Sequence, residues 1–471
     1  MMDLEGYCRR ELAKGKPEKE ILNKLSELII KIKFNDNFNK INKQKANAIA
    51  DAVLHEVKQT NKKIKNKFIK ELLTSPKAGI KMGEMGVGSR GEGDFFVHKK
   101  IGKIASLGAK AIILPDAQDD AGVVKTEEGN IIVIAVDGTH SRLSDYPFIA
   151  GFHVARAALR DIYVNGAKPA ALLDDLHLAD DGDVGRLFDF VAGISAVGEL
   201  TNVPLIAGST LRIGGDMVIG ERMVSGVGAV GIANDEKQIT ARRNIKLGDK
   251  ILMTYGAGGG TIATTAIYSG NFDVVSETLD VSFIRACDAL YNAGMLKKIH
   301  AMLDVTNGGL RGDANEIIST LNKDSDKNNK NNKIGLIFHE SKIKKLVNEK
   351  VYKLLKKLDI DYLGVSIDSL LIFAPPENCN EILEVVRCAG IKIDIIGEVV
   401  PGGKAVIVDE GGNERELETL FRESGYTKIK KVIGEKTPEE FEEMKEKVAG
   451  AYEDAIEKRR KILEFIKNKN Q

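Results

Sequence analysis

The amino-acid sequence predicts an α/β protein (α+β in layout) with two mixed units between two helical extensions. Apolar residues recur at helical spacing near both ends, and β-type runs alternate with helical patterns between them. Glycine-rich turns join several predicted strands to helices. The predicted boundaries give a helical N-terminal extension over 1–75, α/β domains over 76–233 and 234–410, and a C-terminal extension over 411–471.

The composition limits the classes of function. The 471 residues carry 69 Lys and Arg against 68 Asp and Glu, so no basic surface for nucleic acid is indicated. The four cysteines form no CxxC pair, which is typical of reduced thiols. No apolar run approaches the roughly 18 residues that a membrane helix needs. We therefore expect a cytoplasmic protein that binds neither nucleic acid nor a membrane.

Helical patterns dominate both extensions. The N-terminal extension contains ILNKLSELIIKI, NKQKANAIADAVLHEVKQ and KNKFIKELL, each with apolar residues at helical spacing. In the C-terminal extension, Thr437 and Glu440 have the capping-box spacing, which predicts a helix from Pro438 to about Asn468. Within the second domain, Asn322–Lys333 is polar and low in complexity, and we predict a disordered surface insertion there.

A glycine-rich stretch, GIKMGEMGVGSRGEG, follows the N-terminal extension. Gly86, Gly88 and Gly91 satisfy the G-x-G-x-x-G pattern, but no convincing strand precedes them, which argues against a dinucleotide-binding fold. One hypothesis is a lid that folds over phosphates, and the other is a flexible linker. The basic residues in reach of such phosphates would be Arg90, Lys99 and Lys100.

Carboxylates follow two apolar β-type runs in the first domain. Asp119 and Asp120 come after Ala111–Leu114, and Asp137 comes after Ile131–Val136. Carboxylates at strand ends can converge on one point and share a hard cation such as Mg²⁺, which usually brings phosphates with it. This stretch is therefore interpreted as the floor of an Mg–nucleotide site. The alternative is a set of turn-forming aspartates that are merely solvated.

Two glycine turns mark the second domain. The strand KILMTY runs into GAGGGT and then into a helical pattern, so backbone N–H groups at the turn can bind an anion. AMLDVTNGGL repeats this order of strand, turn and helix. The alternative is a pair of tight turns that bind nothing. The residues of interest in these two turns are Gly258, Gly259, Asp304, Thr306, Gly308 and Gly309.

The order of motifs resembles one superfamily. The glycine-rich loop, DDA, VDGT, DIxxxGAKP, GST, ARR, HAMLDVTNGGL and LIFAPPE are together similar to aminoimidazole ribonucleotide synthetase and its relatives. These include selenophosphate synthetase, thiamine-monophosphate kinase, formylglycinamidine ribonucleotide synthase and a hydrogenase-maturation dehydratase. The resemblance covers roughly Ile80 to Val408. It implies a mixed-sheet first domain that pairs into a barrel in a homodimer, followed by an α/β second domain.

The resemblance also implies chemistry and site residues. ATP and Mg²⁺ would serve as cofactors, and a small-molecule substrate would be phosphorylated, or dehydrated after O-phosphorylation. Asp120 and Asp137 would form the catalytic centre. The implied metal ligands are Asp119, Asp120, Asp137 and Asp161, and the implied nucleotide-binding residues are Gly86, Gly88, Gly91, Lys99, Asp161, Gly208 and Thr210. The resemblance also implies that the residues of the two second-domain turns face the substrate.

Departures from the superfamily pattern leave an alternative open. Ser209 replaces the acid of the GGDT or GGET motif, which removes one candidate metal ligand. No cysteine follows Cys388, unlike in the hydrogenase-maturation branch, and none lies between Cys8 and Cys287, unlike in selenophosphate synthetases. The alternative function is a nucleotide-binding regulatory or scaffold protein that has lost turnover.

Overall fold

The computed structural model describes residues 2–139, 142–323, 333–423, 425–434 and 436–469. Most of the predicted insertion at Asn322–Lys333 lies outside the described residues. The helices are α1 (Leu4–Ala13), α2 (Glu18–Lys33), α3 (Lys40–Thr60), α4 (Lys67–Leu73), α5 (Glu92–Ser106), α6 (Pro147–Val164), α7 (Gly185–Thr201), α8 (Gly260–Tyr268), α9 (Ser282–Asn292), α10 (Gly309–Leu321), α11 (Glu340–Leu346), α12 (Glu349–Lys357), α13 (Cys379–Cys388), α14 (Lys428–Ile433) and α15 (Phe441–Lys469). Within the described ranges, no helix combines the length and the apolarity that a bilayer crossing needs.

The strands form three sheets. They are β1 (Met2–Asp3), β2 (Gly122–Lys125), β3 (Ile131–Gly138), β4 (Lys168–Leu178), β5 (Leu205–Arg212), β6 (Val218–Ile219), β7 (Met223–Ala233), β8 (Lys250–Thr254), β9 (Ala301–Asp304), β10 (Ile334–His339), β11 (Leu370–Ala374), β12 (Ile393–Pro401), β13 (Ala405–Val408) and β14 (Glu414–Glu416). Besides the β1–β6 pair, a five-stranded sheet has the order β2-β3-β7-β4-β5 and a seven-stranded sheet the order β14-β13-β10-β12-β8-β11-β9. Each of these two sheets contains one parallel pair, β4–β5 and β10–β13, so both are mixed. The predicted mixed α/β fold class is confirmed.

Helix α6 connects the cores of the two large sheets. It packs against β3 and β7 of the first sheet and against β9 of the second. Fourteen of its 18 residues are buried, as expected of a helix that is apolar nearly all round. Arg156, Arg160 and Asp161 are buried exceptions on this helix. Because buried charges require partners, they mark the part of α6 where a polar site is built.

The five-stranded sheet has one covered face and one exposed face. Ile131, Val133 and Ala135 of β3 point towards α6 and are buried. The register of the neighbouring strands places apolar side chains on the opposite face, where Val136 is 77% exposed. We call this exposed face the bare face. Its exposed apolar residues are Ile134, Val136, Leu173, Leu211, Val224 and Ile232.

The N-terminal helices form a unit that is attached to the first sheet. Helices α1, α2 and α3 pack around their own apolar core, to which Ile219 of β6 also contributes. Met2 pairs with Ile219 in the β1–β6 ladder. Lys33 at the end of α2 lies 3.1 Å from Asp181, which precedes α7. The predicted helical patterns are therefore helices, and their attachments to the body of the protein include the β1–β6 strand pair and the ion pairs of Lys33 with Asp180 and Asp181.

Two predicted elements differ from the structure. Ala111–Leu114 is not a strand, because the turn at Pro115–Ala117 leaves Ile113 a single bridge to Val123 of β2. Asp119 and Asp120 therefore precede a strand instead of following one. Helix α15 begins at Phe441 and not at Pro438, because the Phe441 N–H closes a separate turn onto the Pro438 carbonyl at 3.2 Å.

Candidate active site

A cavity of about 900 Å³ lies where both large sheets, α6 and the glycine-rich loop meet. Its walls come from the bend before β2, the end of β3, one side of α6, the start of α8 and the turn after β9. Residues far apart in the chain are thus brought together. The sequence-predicted residues that line it are Gly88, Asp119, Asp120, Asp137, Asp161, Gly259, Asp304 and Thr306.

Negative charge exceeds positive charge in the cavity wall. Seven carboxylates and four guanidinium groups line it, so the described wall carries three more acids than bases. Buried like charges destabilise one another unless a counter-ion is present. The acids are Asp94, Asp119, Asp120, Asp137, Asp161, Asp304 and Glu316, and the bases are Arg90, Arg156, Arg160 and Arg242.

Arg242 fixes the aspartates before β2. Its backbone N–H donates to Asp119 Oδ1 at 2.8 Å, and its Nη2 donates to Asp120 Oδ1 at 3.1 Å. Its Nη1 also lies 3.0 Å from Glu316 Oε2 on α10. Burial raises the pKa of Asp119 and of Asp120 to about 6, against the attraction of Arg242. The pair is therefore held in place and is ready to lose its protons near neutral pH.

Three further aspartates from three elements face the same space. Asp137 ends β3, Asp161 lies on α6 and Asp304 ends β9. Burial raises the pKa of Asp161 well above its ordinary value, and the charges of Asp137, Asp304 and Asp120 raise it further. Burial also raises the pKa values of Asp137 and Asp304, although Arg160 opposes this for both. A cation placed among these groups would relieve the repulsion.

Sequence reasoning missed a buried cluster of charges on the side of α6 that lines the cavity. Arg156 and Arg160 both donate to Asp368, and Arg160 Nη2 lies 3.1 Å from Asp304 Oδ2. Burial, followed by the charge of Arg160, lowers the pKa of Arg156 to about 9. Two arginines one helical turn apart in the otherwise apolar pattern FIAGFHVARAALRDIYV were a signal for this cluster.

The glycine-rich loop is folded against the cavity. Arg90 Nε donates to the Asn307 carbonyl at 3.1 Å, which connects the loop to the turn after β9. Asp94, in the first turn of α5, accepts the N–H groups of Gly88 and Arg90, each at 2.8 Å. The loop is therefore anchored at both ends and does not behave as an extended linker.

The structure does not bring three of the predicted nucleotide-binding residues to the described cavity wall. The side chain of Lys99 reaches from α5 to α10, where its Nζ donates to Ser319 Oγ at 3.1 Å. Gly208 and Thr210 lie on β5, the exposed edge strand of the five-stranded sheet. A short motif shows neither which side of a helix a residue faces nor where a strand lies in its sheet. The first determines the position of Lys99, and the second determines the positions of Gly208 and Thr210.

Five of the predicted glycines shape turns beside the cavity instead of lining it. They are Gly86, Gly91, Gly258, Gly308 and Gly309. Gly308 has a φ of +99°, and a Cβ there would lie 2.9 Å from Arg90 Cβ. A larger residue would push the glycine-rich loop away from the turn after β9.

The carboxylates fit a divalent cation that arrives with phosphates. In the described ranges, no group of three or more His, Cys, Asp or Glu side chains is arranged to hold a metal ion by itself. Mg²⁺ is usually bound by one or two carboxylates, while phosphate and water oxygens complete its six ligands. Buried aspartates with raised pKa values suit such a shared ion.

Sequence comparisons agree with the order of these elements along the chain. Residues 118–233 match the model of the AIR synthase related protein, N-terminal domain, and residues 246–410 match its C-terminal domain. An uncharacterized protein of Methanocaldococcus jannaschii, MJ1416, is 52% identical over 100% of both chains. A selenide, water dikinase of Myxococcus xanthus is 28% identical over 46% of this chain and 59% of its own length. The PurL subunit of a phosphoribosylformylglycinamidine synthase from Methanosarcina mazei is 26% identical over 40% of this chain and 30% of its own.

Solved structures with the same fold are more distant in sequence. A chain of the HypE–HypF complex gives a TM-score of 0.53 at 19% identity and covers 68% of this chain and 99% of its own. The hydrogenase maturation protein HypE in complex with ATP gives 0.52 at 19% identity, over 69% and 92% of the two chains. These comparisons show the fold, and the matched models together cover more than half of the chain. The protein therefore belongs to the AIR synthase related family and carries both of its domains.

Proposed function

We propose that this protein is an enzyme that uses ATP and Mg²⁺ to phosphorylate a small molecule, or to dehydrate one through O-phosphorylation. The observation that carries the proposal is the excess of buried carboxylates in the cavity wall, where a polyphosphate would be repelled unless cations accompany it. A selenide, water dikinase among the relatives and HypE in complex with ATP support ATP as the nucleotide. With its cysteines free of disulfides, such an enzyme would work in the cytoplasm.

The aspartates would hold the metal. Asp119, Asp120, Asp137 and Asp161 are the proposed ligands, two or more of them sharing an ion with phosphate oxygens. Bound Mg²⁺ would neutralise charge on the phosphates during transfer. Arg242 keeps Asp119 and Asp120 in place by donating a hydrogen bond to each. The protein's own contribution is thus a fixed set of carboxylate oxygens that a cation would stabilise.

Backbone groups and arginines would position the reacting molecules. Gly259 and Thr261 lie at the start of α8, where unpaired N–H groups and the helix dipole favour an anion. Arg90 of the glycine-rich loop is a second cationic contact. In the proposed transfer, the substrate oxygen bonds to the γ-phosphorus as the bond to ADP breaks. The proton of the substrate hydroxyl passes to a carboxylate, for which Asp120 and Asp137 are the proposed groups.

We also propose that the enzyme is a homodimer formed through the bare face. Six apolar side chains on one face of the five-stranded sheet are exposed in the single chain. An exposed apolar patch of this kind marks an association surface. A second copy would cover the bare face with its own and close the two sheets into a barrel.

Titration calorimetry with a non-hydrolysable ATP analogue tests the proposal. The wild-type protein should bind the analogue with Mg²⁺ and lose most affinity without it. Asp120→Asn should weaken binding by about a hundredfold or more, because it removes one charge from the metal site. The matched control is Asp359→Asn, because Asp359 is fully exposed and lies outside the cavity wall.

The same experiment separates the two candidate functions. Failure of the wild-type protein to bind the analogue with or without Mg²⁺ would reject the proposal. Tight binding without turnover of any small-molecule phosphate acceptor would favour the regulatory or scaffold alternative. Hydrolysis or transfer that Asp120→Asn abolishes and Asp359→Asn leaves intact would establish the enzyme.

A further inference from the structure

We propose that Leu420–Glu423, here named the strap, holds the glycine-rich loop over the nucleotide cavity, with Glu423 as a positioning residue. The strap belongs to the C-terminal extension, outside the residues that match the family models. Its effect on nucleotide rests on the proposed function, whereas its contact with the loop does not. No sequence motif marks the strap.

Main-chain hydrogen bonds join the strap to the end of the loop. The Glu92 N–H donates to the Leu420 carbonyl at 3.2 Å, and the Glu423 N–H donates to the Ser89 carbonyl at 3.0 Å. These two bonds enclose Arg90, the loop residue that lines the cavity. The position of the Arg90 backbone is therefore set by the strap on one side and by Asp94 on the other.

Close packing explains why the loop has a glycine at this contact. A Cβ on Gly91 would lie 2.2 Å from the Phe421 carbonyl oxygen, so a larger residue would separate the strap from the loop. The Phe421 ring packs with Met85 of the loop and with Phe441 and Met444 of α15 in a small apolar cluster. The strap is thus held between the loop and the long C-terminal helix.

Arg422 attaches the strap to the beginning of the loop as well. Its Nη2 donates to the Glu84 carbonyl at 3.2 Å and also to the Gly83 carbonyl. Both acceptors are main-chain oxygens that precede the glycines of the G-x-G-x-x-G pattern. The strap therefore contacts the loop at its start and at its end, which restricts its opening as a whole.

A buried ion pair connects the strap to α10. Arg311 on α10 donates from Nε to Glu423 Oε1 at 2.9 Å and from Nη2 to Oε2 at 2.7 Å. Glu423 is 3% exposed, and its Oε1 also accepts the Leu420 N–H at 3.0 Å. Paired bonds of this kind are strong and directional. Removing the charge of Glu423 would leave Arg311 without its buried partner and loosen the strap.

The consequence for the site concerns nucleotide release. Gly88 and Arg90 of the loop form part of the cavity wall, so a nucleotide beneath them can leave freely only when the loop moves. Movement requires the strap bonds to open first. The strap restricts opening of the loop in the free and the bound protein alike, so it is expected to slow both association and dissociation.

Hydrogen–deuterium exchange of the full-length, nucleotide-free protein tests the strap. In Glu423→Gln, peptides that cover 82–92 should exchange roughly ten- to a hundredfold faster than in wild type, as expected for loss of a charge-assisted hydrogen-bond pair. Arg422→Ala should give a smaller increase and serves if Glu423→Gln fails to fold. The control is Glu457→Gln, which removes an exposed ion pair to Arg460 on α15. Unchanged loop exchange in both strap variants would overturn the proposal.

Stopped-flow release of a fluorescent ATP analogue with Mg²⁺ tests the positioning role. Glu423→Gln should release the analogue about tenfold faster or more and bind it faster as well, with little change in the exchange of β11. Faster loop exchange with an unchanged release rate would overturn the positioning role and leave Glu423 purely structural. If the wild-type protein binds no analogue, the proposed function and the positioning role both fail, while the exchange experiment still decides whether the strap holds the loop.

Discussion

The two large sheets differ in how completely the chain covers them. In the seven-stranded sheet, all five residues of β11 are buried, with β8 on one side and β9 on the other. In the five-stranded sheet, α6 covers one face and the bare face is exposed. Both sheets are rich in apolar residues, so the difference lies in what covers them. In the second sheet, β11 is buried within a single chain. The first sheet leaves one apolar face exposed when the chain is alone.

The largest effect expected from this difference is on the stability of the single chain. Phe373→Ala in β11 should lower the free energy of unfolding by about 3–5 kcal/mol, because it leaves a cavity in a fully buried layer. Val136→Ala on the bare face should change it by no more than about 0.5 kcal/mol in a sample dilute enough to be monomeric. Urea unfolding measures both. Similar losses for the two variants would show that the bare face is covered within the chain.

A smaller but more specific effect concerns association. Val136→Asp combined with Val224→Asp should convert a dimer to monomers at micromolar concentration, because two carboxylates would lose water in an apolar interface. Analytical ultracentrifugation measures the change, and circular dichroism checks the fold. Phe188→Asp is the control, because Phe188 is an exposed apolar residue on α7, outside the sheet. Dimer loss in the control, or none in the double variant, would contradict the assignment.

The smallest effect concerns the acids between the two sheets. Burial raises the pKa of Asp120 to about 6, so between about pH 4 and 6 the folded state binds more protons than the unfolded state. The stability of the ligand-free protein should therefore fall as pH rises through this window. Asp120→Asn should raise Tm by about 2–4 °C at pH 7.5, and the gain should largely disappear near pH 4.5. Thermal scans at both values measure it, and a constant difference would exclude titration of Asp120.

The positions of several strands along the chain could be anticipated from runs of apolar, β-type residues. β3 contains the continuous apolar run Ile131–Val136, and β11 is a short continuous apolar run. Ala111–Leu114 has the same composition as a strand but no complete partner, so a four-residue run was insufficient to decide. Pairing, which fixes whether such a run becomes a strand, is not a local property.

The sequence predicted only those residues of the site that belong to recognisable motifs. Asp119, Asp120, Asp137, Asp161 and Asp304 were singled out from turns and from the family resemblance, and the structure places all five at one cavity. The basic side of the cavity was largely missed, because its roles depend on contacts between distant residues. Arg160 and its partner Asp368, for example, are 208 positions apart.

The buried position of Glu423 in the strap was even harder to predict from the sequence. Glu423 lies in a polar stretch that resembles a solvated tail in composition, yet it is buried against Arg311. No periodicity or spacing distinguishes such a glutamate from its exposed neighbours. What identifies it is the arginine 112 positions earlier, which becomes its partner only when α10 is in place.

The short β1–β6 pair has a consequence for the timing of synthesis. Met2 and Asp3 pair with residues 218 and 219, so the first strand must wait for more than two hundred residues to be translated. At ordinary rates of translation this takes about ten to forty seconds. Helices α1, α2 and α3 have a core of their own to which one residue, Ile219, is added later. Helices α1, α2 and α3 are therefore synthesised well before the strand that pairs with β1.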